Sequence, residues 1–364
     1  MLHLIRTALP LRWEQWFYRP VRRVQSRLPL RATPEAAEPG AGRRAVLGAA
    51  AAELFAGEDA AALCRADAAV RGEFRFLNRS LEFPGIDWTR RHVSHLWSYN
   101  LHYFDFALDL ARAHDASRDF RYRDRFVELA EDWIDQCPPG QGDGWQPYAV
   151  SLRVVNWIHA ILLLGDALDS SVRKRLEASL AAQTEYLSRR LELHILANHL
   201  QKNLTALVVA GLYFSGPSAA RWLEKGTRLL WRELFEQVLP DGTHYERSPM
   251  YHAIAARDFL EVVALLRAAG EPVPPEATER IAAMLTALGV LSRPDGALHL
   301  FNDAAHGIAP SRAELDRLGQ QVLGQPVPAP EPLLALPDGG YYGYANAGTG
   351  ERLLMDCGEP GPPY

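Results

Sequence analysis

Apolar residues recur at intervals of three and four through most of the chain, which is the spacing of one buried face of an α-helix. The pattern is clearest in residues 152–162, 172–196, 200–212 and 253–266. Turns that contain Pro, Gly or Asp separate these runs, so the pattern predicts a mainly α structure built from helical hairpins. Such hairpins can close into a ring whose loops line a groove, but periodicity alone does not determine that closure.

Alternating apolar and polar residues predict strands at two places. Phe74, Phe76 and Leu81 alternate with polar residues, which predicts a short hairpin or an extended arm. After residue 291 the helical period fades, and the Gly-rich and Tyr-rich segments of 337–356 predict a β-hairpin. A two-stranded hairpin is marginal by itself in water, so these strands are expected to need more sheet than this chain supplies.

One segment, residues 241–252, combines a turn with the start of a helix and carries most of the candidate chemistry. It reads DGTHYERSPMYH, and an apolar helical run follows it. Ser248 is a suitable N-cap, and Pro249 is a suitable first helical residue. Tyr251 then falls in the first turn, where the positive end of the helix dipole is expected to lower the pKa of its phenol. Tyr251 is therefore a candidate for proton transfer.

Asn198 and His199 lie between two other helical runs, and they have two interpretations. In the structural interpretation, Asn198 caps the second helix and Gln201 completes a capping box. In the functional interpretation, two helix starts bring Asn198, His199 and Tyr251 together in one site. The residues alone leave both interpretations open.

The Asn-His pair and the DGTHYERSPMYH segment together resemble the heparinase II/III family of polysaccharide lyases. The resemblance implies an incomplete (α/α) toroid of helical hairpins, followed by a β-sandwich that opens with a β-hairpin. On this basis residues 1–45 are an N-terminal segment and linker, 46–325 the toroid, and 326–364 the start of the sandwich. The chain is then expected to lack most of the sandwich, including the histidine or tyrosine that completes the site, and to be inactive or severely impaired alone.

The resemblance also implies a reaction, which is β-elimination on a polysaccharide that contains uronic acid. The proton on C5 lies beside a carboxylate, and that carboxylate must be neutralised as charge develops on it. Asn198 and His199 suit this role, while Tyr251 would remove the proton or protonate the leaving glycosidic oxygen. The reaction requires neither a metal nor a cofactor.

Two further segments resemble the same family and provide candidates for substrate contact. Residues 97–105 read WSYNLHYFD and residues 144–157 read GWQPYAVSLRVVNW, so both combine aromatic side chains with polar donors. Core packing explains most such aromatics, and Arg153 has a structural ion pair as the alternative to binding a sugar carboxylate or sulfate. Turn chemistry is the alternative for Asn302, and a structural role is the alternative for the histidines. The predicted contact residues are His102, Tyr103, Tyr148, Arg153, Asn156, His244, Glu246, His252 and Asn302.

Composition narrows the class of partner. The chain has 364 residues, of which 48% are hydrophobic and 23% charged, as in an ordinary globular protein with a substantial core. Its net charge of -5 argues against nucleic acid as the main partner, whereas a local basic groove could still hold an acidic polysaccharide. Three cysteines without a Cys-x-x-Cys spacing indicate neither a disulfide framework nor a zinc site.

The first 30 residues are rich in arginine and aromatic residues. Arg6 and Arg12 interrupt the apolar core that a secretory signal needs, so no signal peptide is predicted. An amphipathic helix that contacts a membrane surface is one interpretation of this segment, and a helix packed on the main body is the other. Family resemblance favours the cell envelope or periplasm, while the absence of a signal favours the cytoplasm.

Two other function classes compete with a lyase. An inverting glycoside hydrolase on a related toroid needs two carboxylates, for which Asp105, Asp241 and Glu246 are candidates. A non-catalytic glycan-binding protein, or one associated with exopolysaccharide biosynthesis, would keep the groove without turnover. The motifs also leave heparan sulfate, alginate and bacterial exopolysaccharides open as substrates, because pocket shape decides among them.

Overall fold

A computed structural model describes residues 15–18, 20, 40–57, 60–324, 326–328, 331–346, 348–359 and 361, and most of this part of the chain is helical. The mainly α prediction is therefore confirmed. Most of the segment 1–45 lies outside the described residues, so its membrane contact stays a prediction.

The α-helices of the described residues are α1 (Ala41–Leu54), α2 (Ala60–Val70), α3 (His95–Tyr103), α4 (Asp105–Ser117), α5 (Phe120–Gln136), α6 (Pro147–Leu164), α7 (Ser170–Ser188), α8 (Ala197–Tyr213), α9 (Pro217–Gln237), α10 (Pro249–Ala268), α11 (Pro275–Leu291) and α12 (Arg312–Leu323). The strands are β1 (Glu73–Phe76), β2 (Arg79–Glu82), β3 (Leu333–Leu336), β4 (Tyr341–Ala345) and β5 (Arg352–Asp356). Short 3₁₀ turns occupy Asp143–Trp145 and Gly165–Ala167.

The described residues divide into two compact units. The N-terminal unit contains residues 20–192 and 202–227, and the C-terminal unit contains 193–201 and 228–364 with a short part of the N-terminus. Helices α8 and α9 are therefore divided between the units. The predicted site residues fall into both, so each set is described within its own unit.

Large aromatic side chains fill the core of the N-terminal unit. Trp157 of α6 meets Phe104 at 5.2 Å and Trp133 at 5.8 Å between ring centroids, both edge to face. Among the described helices, α6 is the one long and apolar enough to cross a membrane. However, 61% of its most apolar window is buried inside the protein, as expected of a core helix. The predicted hairpin near residue 78 is present as β1 and β2, with Phe74 opposite Leu81.

In the C-terminal unit, α10, α11 and α12 pack against one another, and α11 packs against a sheet with strand order β3-β4-β5, in which both strand pairs are antiparallel. One face of the sheet places Leu334, Leu336 and Tyr341 against Leu291 and its neighbours on α11. The expectation of a hairpin that needs further sheet is therefore wrong in one respect. A third strand and a helix support the hairpin from within the chain, which removes the instability of an isolated strand pair.

Candidate active site

The segment 241–252 begins with a tight turn in the C-terminal unit. The Leu239 N–H donates to the Thr243 carbonyl at 2.9 Å, and the Gly242 N–H donates to the Leu239 carbonyl at 2.9 Å. Gly242 has φ of +85°, and a Cβ at this position would lie 2.2 Å from the carbonyl oxygen of Ala283. Only glycine fits this conformation and this close approach. The turn thereby directs the rest of the segment toward the start of α10.

The two histidines of this segment are buried and bonded within the protein. The backbone N–H of His244 donates to the ring Nδ1 of His252 at 3.2 Å, and Nε2 of His252 lies 2.9 Å from the Met284 carbonyl. Since Nδ1 of His252 accepts, its Nε2–H is the donor to Met284. Burial, with the charge of His252 adding, lowers the pKa of His244 to about 3, and burial lowers the pKa of His252 to about 4. Both imidazoles are neutral and sealed from solvent, so this structure gives them a structural role instead of the predicted substrate contact.

The start of α10 has the predicted arrangement. Ser248 occupies the N-cap position and Pro249 the first helical position, although the Ser248 hydroxyl makes no capping hydrogen bond. Tyr251 lies in the first turn and is half-buried. Burial, followed by the negative charges of Asp303 and Glu246, raises the pKa of Tyr251. The expected lowering by the helix dipole is wrong, because desolvation and two nearby carboxylates outweigh it.

Asn198 lies in the first turn of α8, directly after two strained residues. Leu196 has φ of +66° and Ala197 has φ of +52°, both in the left-handed region that residues with a Cβ avoid. The Asn198 N–H donates to Oε1 of Glu246 at 3.2 Å. The side-chain oxygen Oδ1 of Asn198 is buried and has no hydrogen-bond partner among the described residues. A buried polar atom without a partner calls for an explanation, and binding of a ligand is one such explanation.

The capping-box interpretation of this helix start is wrong. Helix α8 begins at Ala197, so Asn198 is already inside the helix. The Gln201 amide turns away and lies 3.4 Å from both the Ala255 carbonyl and Oδ2 of Asp258. The group that satisfies the helix start is instead the Glu246 carboxylate, which accepts the Asn198 N–H. The Asn198 side chain therefore does not cap α8, and it instead forms a hydrogen bond with the Glu246 carboxylate.

Glu246 connects the two helix starts electrostatically. Burial raises its pKa most, the N–H of Asn198 opposes that shift, and the charge of Asp303 raises the pKa further. His199 also acts on this carboxylate and lowers its pKa. Because Glu246 and Asp303 act on Tyr251 as well, these four residues and Asn198 share one polar environment within the C-terminal unit. The structure thus brings Asn198, His199, Glu246 and Tyr251 near one another within this unit, and their roles stay a prediction.

The loop after α11 contributes a different residue from the one predicted. Asn302 donates to the Arg247 carbonyl at 2.6 Å and to Oδ2 of Asp356 at 3.2 Å, so its amide is occupied by the protein. Its neighbour Asp303 is exposed and acts on Tyr251. Sequence reasoning located this loop but selected Asn302 for substrate contact, because no pattern in the sequence tells which of two adjacent polar residues faces a distant phenol.

In the N-terminal unit, Arg153 is fully buried and bound to neutral groups. Its guanidinium donates to Oε1 of Gln183 at 2.9 Å, to the His102 carbonyl at 2.9 Å and to the Gly144 carbonyl at 2.8 Å. The same group lies 3.8 Å from the ring centroid of Trp133. These acceptors are neutral, so the alternative of an ion pair is wrong, and a buried guanidinium engaged in this way is not presented to a sugar anion. Arg153 instead joins three segments of this unit.

His102 belongs to the same buried network. Its Nδ1 accepts from the indole N–H of Trp133 at 3.0 Å. Burial, and then the charge of Arg153, lowers the pKa of His102 to about 3. A buried imidazole that is neutral and engaged with Trp133 supports the fold, so the predicted substrate contact is not what this structure shows.

The remaining predicted residues of this unit lie where α3, α4 and α6 meet. Asn156 donates to the Tyr103 carbonyl at 2.9 Å and to Oδ1 of Asp105 at 2.8 Å. The rings of Tyr103 and Tyr148 meet edge to face at 5.7 Å. Tyr103 is nearly buried, whereas Tyr148 is half-buried. Asn156 therefore fixes the junction of α3 and α4, and Tyr148 is the most accessible of these aromatic side chains.

Carboxylates that a hydrolase would need are engaged in the structure. Oδ2 of Asp241 accepts from the Asp338 N–H at 2.8 Å and from the Gly339 N–H at 2.9 Å, which gives it a structural role in the turn. Asp105 is bonded to Asn156. In the described part of the chain, no group of three or more His, Cys, Asp or Glu residues could hold a metal ion.

Solved structures that match this fold include heparinases. Heparinase III matches with a TM-score of 0.63 and 19% identity, over 92% of this chain and 57% of the solved chain. A heparan sulfate lyase from Pedobacter heparinus matches with a TM-score of 0.58 and 20% identity, over 91% of this chain and 54% of that one. The predicted fold class, a helical heparinase domain followed by part of its β region, is thereby confirmed.

The sequence itself identifies the family. The family model for the heparinase II/III N-terminus matches residues 56–315. This match covers most of the chain, and the protein belongs to the heparinase II/III family.

Three curated relatives match this chain over less than half of their own length. The heparin-sulfate lyases of Bacteroides thetaiotaomicron and Pedobacter heparinus are 25% and 26% identical over 50% and 57% of this chain. The FtsZ-localized protein C of Caulobacter vibrioides is 26% identical over 73% of this chain. The chain spans 27%, 32% and 43% of these three relatives, in the same order.

Proposed function

We propose that this protein takes part in the lytic cleavage of a polysaccharide that contains uronic acid, and that Asn198, His199 and Tyr251 act in the reaction. The observation that carries the proposal is the Asn198 side chain. Its amide oxygen is buried without a partner among the described residues, and the capping role that would explain an asparagine here is filled by Glu246. This oxygen can accept a hydrogen bond from a sugar hydroxyl, whereas the Nδ2 group of the same amide is the donor that a sugar carboxylate requires.

The reaction removes the C5 proton of the uronate, and the electron pair forms the C4–C5 double bond as the C4–O bond breaks. Asn198 and His199 would stabilise the charge that develops on the C5 carboxylate. Strained residues at Leu196 and Ala197 precede them, and such strain is common where side chains are held in position for function. The base would come from the β-sandwich, as the family resemblance implies.

Tyr251 is better suited to donate a proton than to accept one. Burial and the charges of Asp303 and Glu246 raise its pKa, so the phenol is neutral before the reaction begins. A neutral phenol has a proton to give to the leaving glycosidic oxygen, which needs one as the bond breaks. Of the two roles that the sequence left open, we therefore propose the acid role for Tyr251.

The test is an assay of the purified full-length protein on a panel of uronate polymers, including heparan sulfate and alginate. A lyase forms a conjugated unsaturated uronate that absorbs in the ultraviolet. A hydrolase releases reducing ends without that absorbance, and a binding protein does neither. Reducing ends without the chromophore, or tight binding without any product, would each refute the lyase proposal.

A non-catalytic role is the second candidate, and one comparison favours it. The relative named FtsZ-localized protein C covers 73% of this chain, which is more than either of the two lyases covers. A non-catalytic protein would keep the helical fold and bind a glycan or a protein partner without turnover. Saturable binding of a polymer with no product from any member of the panel would support it.

A further inference from the structure

The carbonyl group of Arg247 receives two hydrogen bonds from outside its own segment. The Tyr341 hydroxyl of β4 donates to it, and the Asn302 amide donates to it at 2.6 Å. Arg247 has φ of +53°, a left-handed conformation that a residue with a Cβ adopts only when its surroundings impose it. The two donors are positioned to impose this conformation, and Arg247 follows Glu246 directly.

Other contacts join the same segment to the sheet. The Arg247 guanidinium donates to the carbonyls of Glu359 and Asp338, while the Asp241 carboxylate accepts from two N–H groups of the β3–β4 turn. A Cβ on Gly339 would lie 2.6 Å from the Thr243 side chain, so turn and segment are in close contact. The segment 241–248 is thus attached to the sheet and its β3–β4 turn at Asp241, Thr243 and Arg247.

The sheet is itself held firmly enough to act as a support. Tyr341 is fully buried among the apolar residues that β3 and β4 pack against α11. Arg352 of β5 donates to the carbonyls of Ser292, Gly289 and Val290 at the end of α11. A phenol in such a core has little freedom, so its hydroxyl is a fixed donor.

We propose that Tyr341 and Asn302 are positioning residues for the active site. Together they hold the left-handed Arg247 carbonyl, and this places the Glu246 carboxylate where it accepts the N–H of Asn198. The proposal rests on the proposed function for its effect on turnover, but its structural part concerns the Asn198 N–H alone. In this arrangement the C-terminal sheet acts on the helix start of Asn198 through Arg247 and Glu246.

The test is Tyr341→Phe, with Tyr344→Phe as the matched control. Phe keeps the buried ring and removes only the hydroxyl, whereas Tyr344 lies on the same strand with an exposed side chain. The first readout is hydrogen exchange of the Asn198 amide, which does not depend on activity. We expect exchange at Asn198 to become at least about tenfold faster in Tyr341→Phe and to stay unchanged in Tyr344→Phe.

The second readout compares the effect of each variant on kcat with its effect on KM. Loosening the position of a catalytic group should lower kcat by about tenfold or more while KM changes little, because small displacements affect the transition state most. In a Glu246→Ala background, adding Tyr341→Phe should change neither the exchange rate nor kcat further. This lack of additivity separates positioning through Glu246 from a general loss of stability.

Asn302→Ala provides a second, independent variant, since Asn302 is exposed and its removal leaves the core intact. Asn302→Ala should also make exchange at the Asn198 amide faster. If Tyr341→Phe does not fold, the exchange rate in Asn302→Ala decides whether the proposal holds. Unchanged exchange at Asn198 in the folded variants would overturn the proposal. If the wild-type protein proves to have no lyase activity, the exchange measurement still decides whether the sheet positions Asn198, while the proposed function fails separately.

Discussion

At the scale of single residues, the Tyr251 hydroxyl is the group on which turnover depends most directly. Tyr251→Phe should lower kcat by about a hundredfold or more, because the variant loses the proton for the leaving oxygen but keeps the ring. Binding of a uronate oligosaccharide, measured by calorimetry, should change little. A Phe variant that retains more than about a tenth of the wild-type rate would rule out this role.

Asn198 allows catalysis to be separated from stability. Its side chain does not cap α8, so Asn198→Ala should cost less than the roughly 1 kcal/mol that losing a helix cap costs. The rate should nevertheless fall sharply, since the amide is lost. Asn198→Ser serves as the control, because serine can cap a helix but reaches less far. Full activity in the Ser variant would favour a capping role over a catalytic one.

The buried histidines predict how stability depends on pH. The folded-state pKa values of His102, His244 and His252 lie at about 3, 3 and 4, below the ordinary value of 6.5. Below pH 6.5 the unfolded chain therefore binds more protons than the folded protein. The contribution of these histidines to stability is fully present above pH 6.5, and it is lost as the pH falls toward their folded-state pKa values. Each histidine should lower the free energy of unfolding by up to about 2 kcal/mol between pH 7 and pH 5. Urea unfolding at the two pH values measures this, and equal midpoints would contradict it.

These residues also illustrate what a motif can reveal. The DGTHYERSPMYH letters place Tyr251 in the first turn of α10, because its spacing from Pro249 determines which turn it occupies. The same letters cannot distinguish the buried His244 and His252 from solvent-facing groups, since burial depends on α11, which is distant in sequence. For the same reason Arg153 resembled an anion-binding residue, although its three acceptors come from other helices and loops.

At the scale of elements, the turn before α10 depends on one glycine. Gly242→Ala should destabilise the protein more than Gly296→Ala, although the two glycines have similar φ values of +85° and +83°. A Cβ on Gly242 would lie 2.2 Å from the Ala283 carbonyl oxygen, whereas nothing lies within 4 Å of one on Gly296. We expect Gly296→Ala, the control, to lower the free energy of unfolding by about 1 kcal/mol because of backbone strain. Gly242→Ala should lower it by at least about 2 kcal/mol more. Equal unfolding midpoints in urea would show that the close approach is relaxed at no cost.

The elements were predictable where their pattern is local. Ser248 and Pro249 identified the start of α10, and the Tyr-rich alternation identified β4. Strand β3 was missed, because the apolar residues Leu333–Leu336 show no alternation and become a strand only by pairing with β4. The wrong capping box at Asn198 has a similar cause, since the actual partner of the helix start, Glu246, lies 48 residues away in sequence.

At the scale of the whole molecule, the outer face of the sheet predicts association. Leu333, Tyr344 and Leu353 are paired across three strands, and their exposed fractions are 77%, 49% and 58%. Exposed apolar residues in register form a continuous surface that favours contact with another molecule. Leu353→Lys should therefore reduce concentration-dependent association in sedimentation velocity, with Leu63→Lys, at an exposed leucine of α2, as the control. Equal association of the two variants would exclude this face.

The mainly α class followed from helical periodicity, and the order of helical hairpins followed from the turns between them. Closure of such hairpins is a property of contacts between helices far apart in the chain, so it came from the family resemblance. Substrate choice is also not determined by the motifs, because it depends on the shape of a groove that many segments line together.

The most direct test of the central claim is the mass of the products formed from a uronate polymer. Elimination adds no water, so each cleavage by the wild-type protein should yield an unsaturated fragment that is one water lighter than the product of hydrolysis. The same fragment should form about a hundredfold more slowly, or slower still, when Tyr251→Phe is used under identical conditions. Hydrated fragments from the wild type, or unsaturated fragments from the Tyr251→Phe variant at more than about a tenth of the wild-type rate, would contradict the assignment of Asn198, His199 and Tyr251 to a β-elimination.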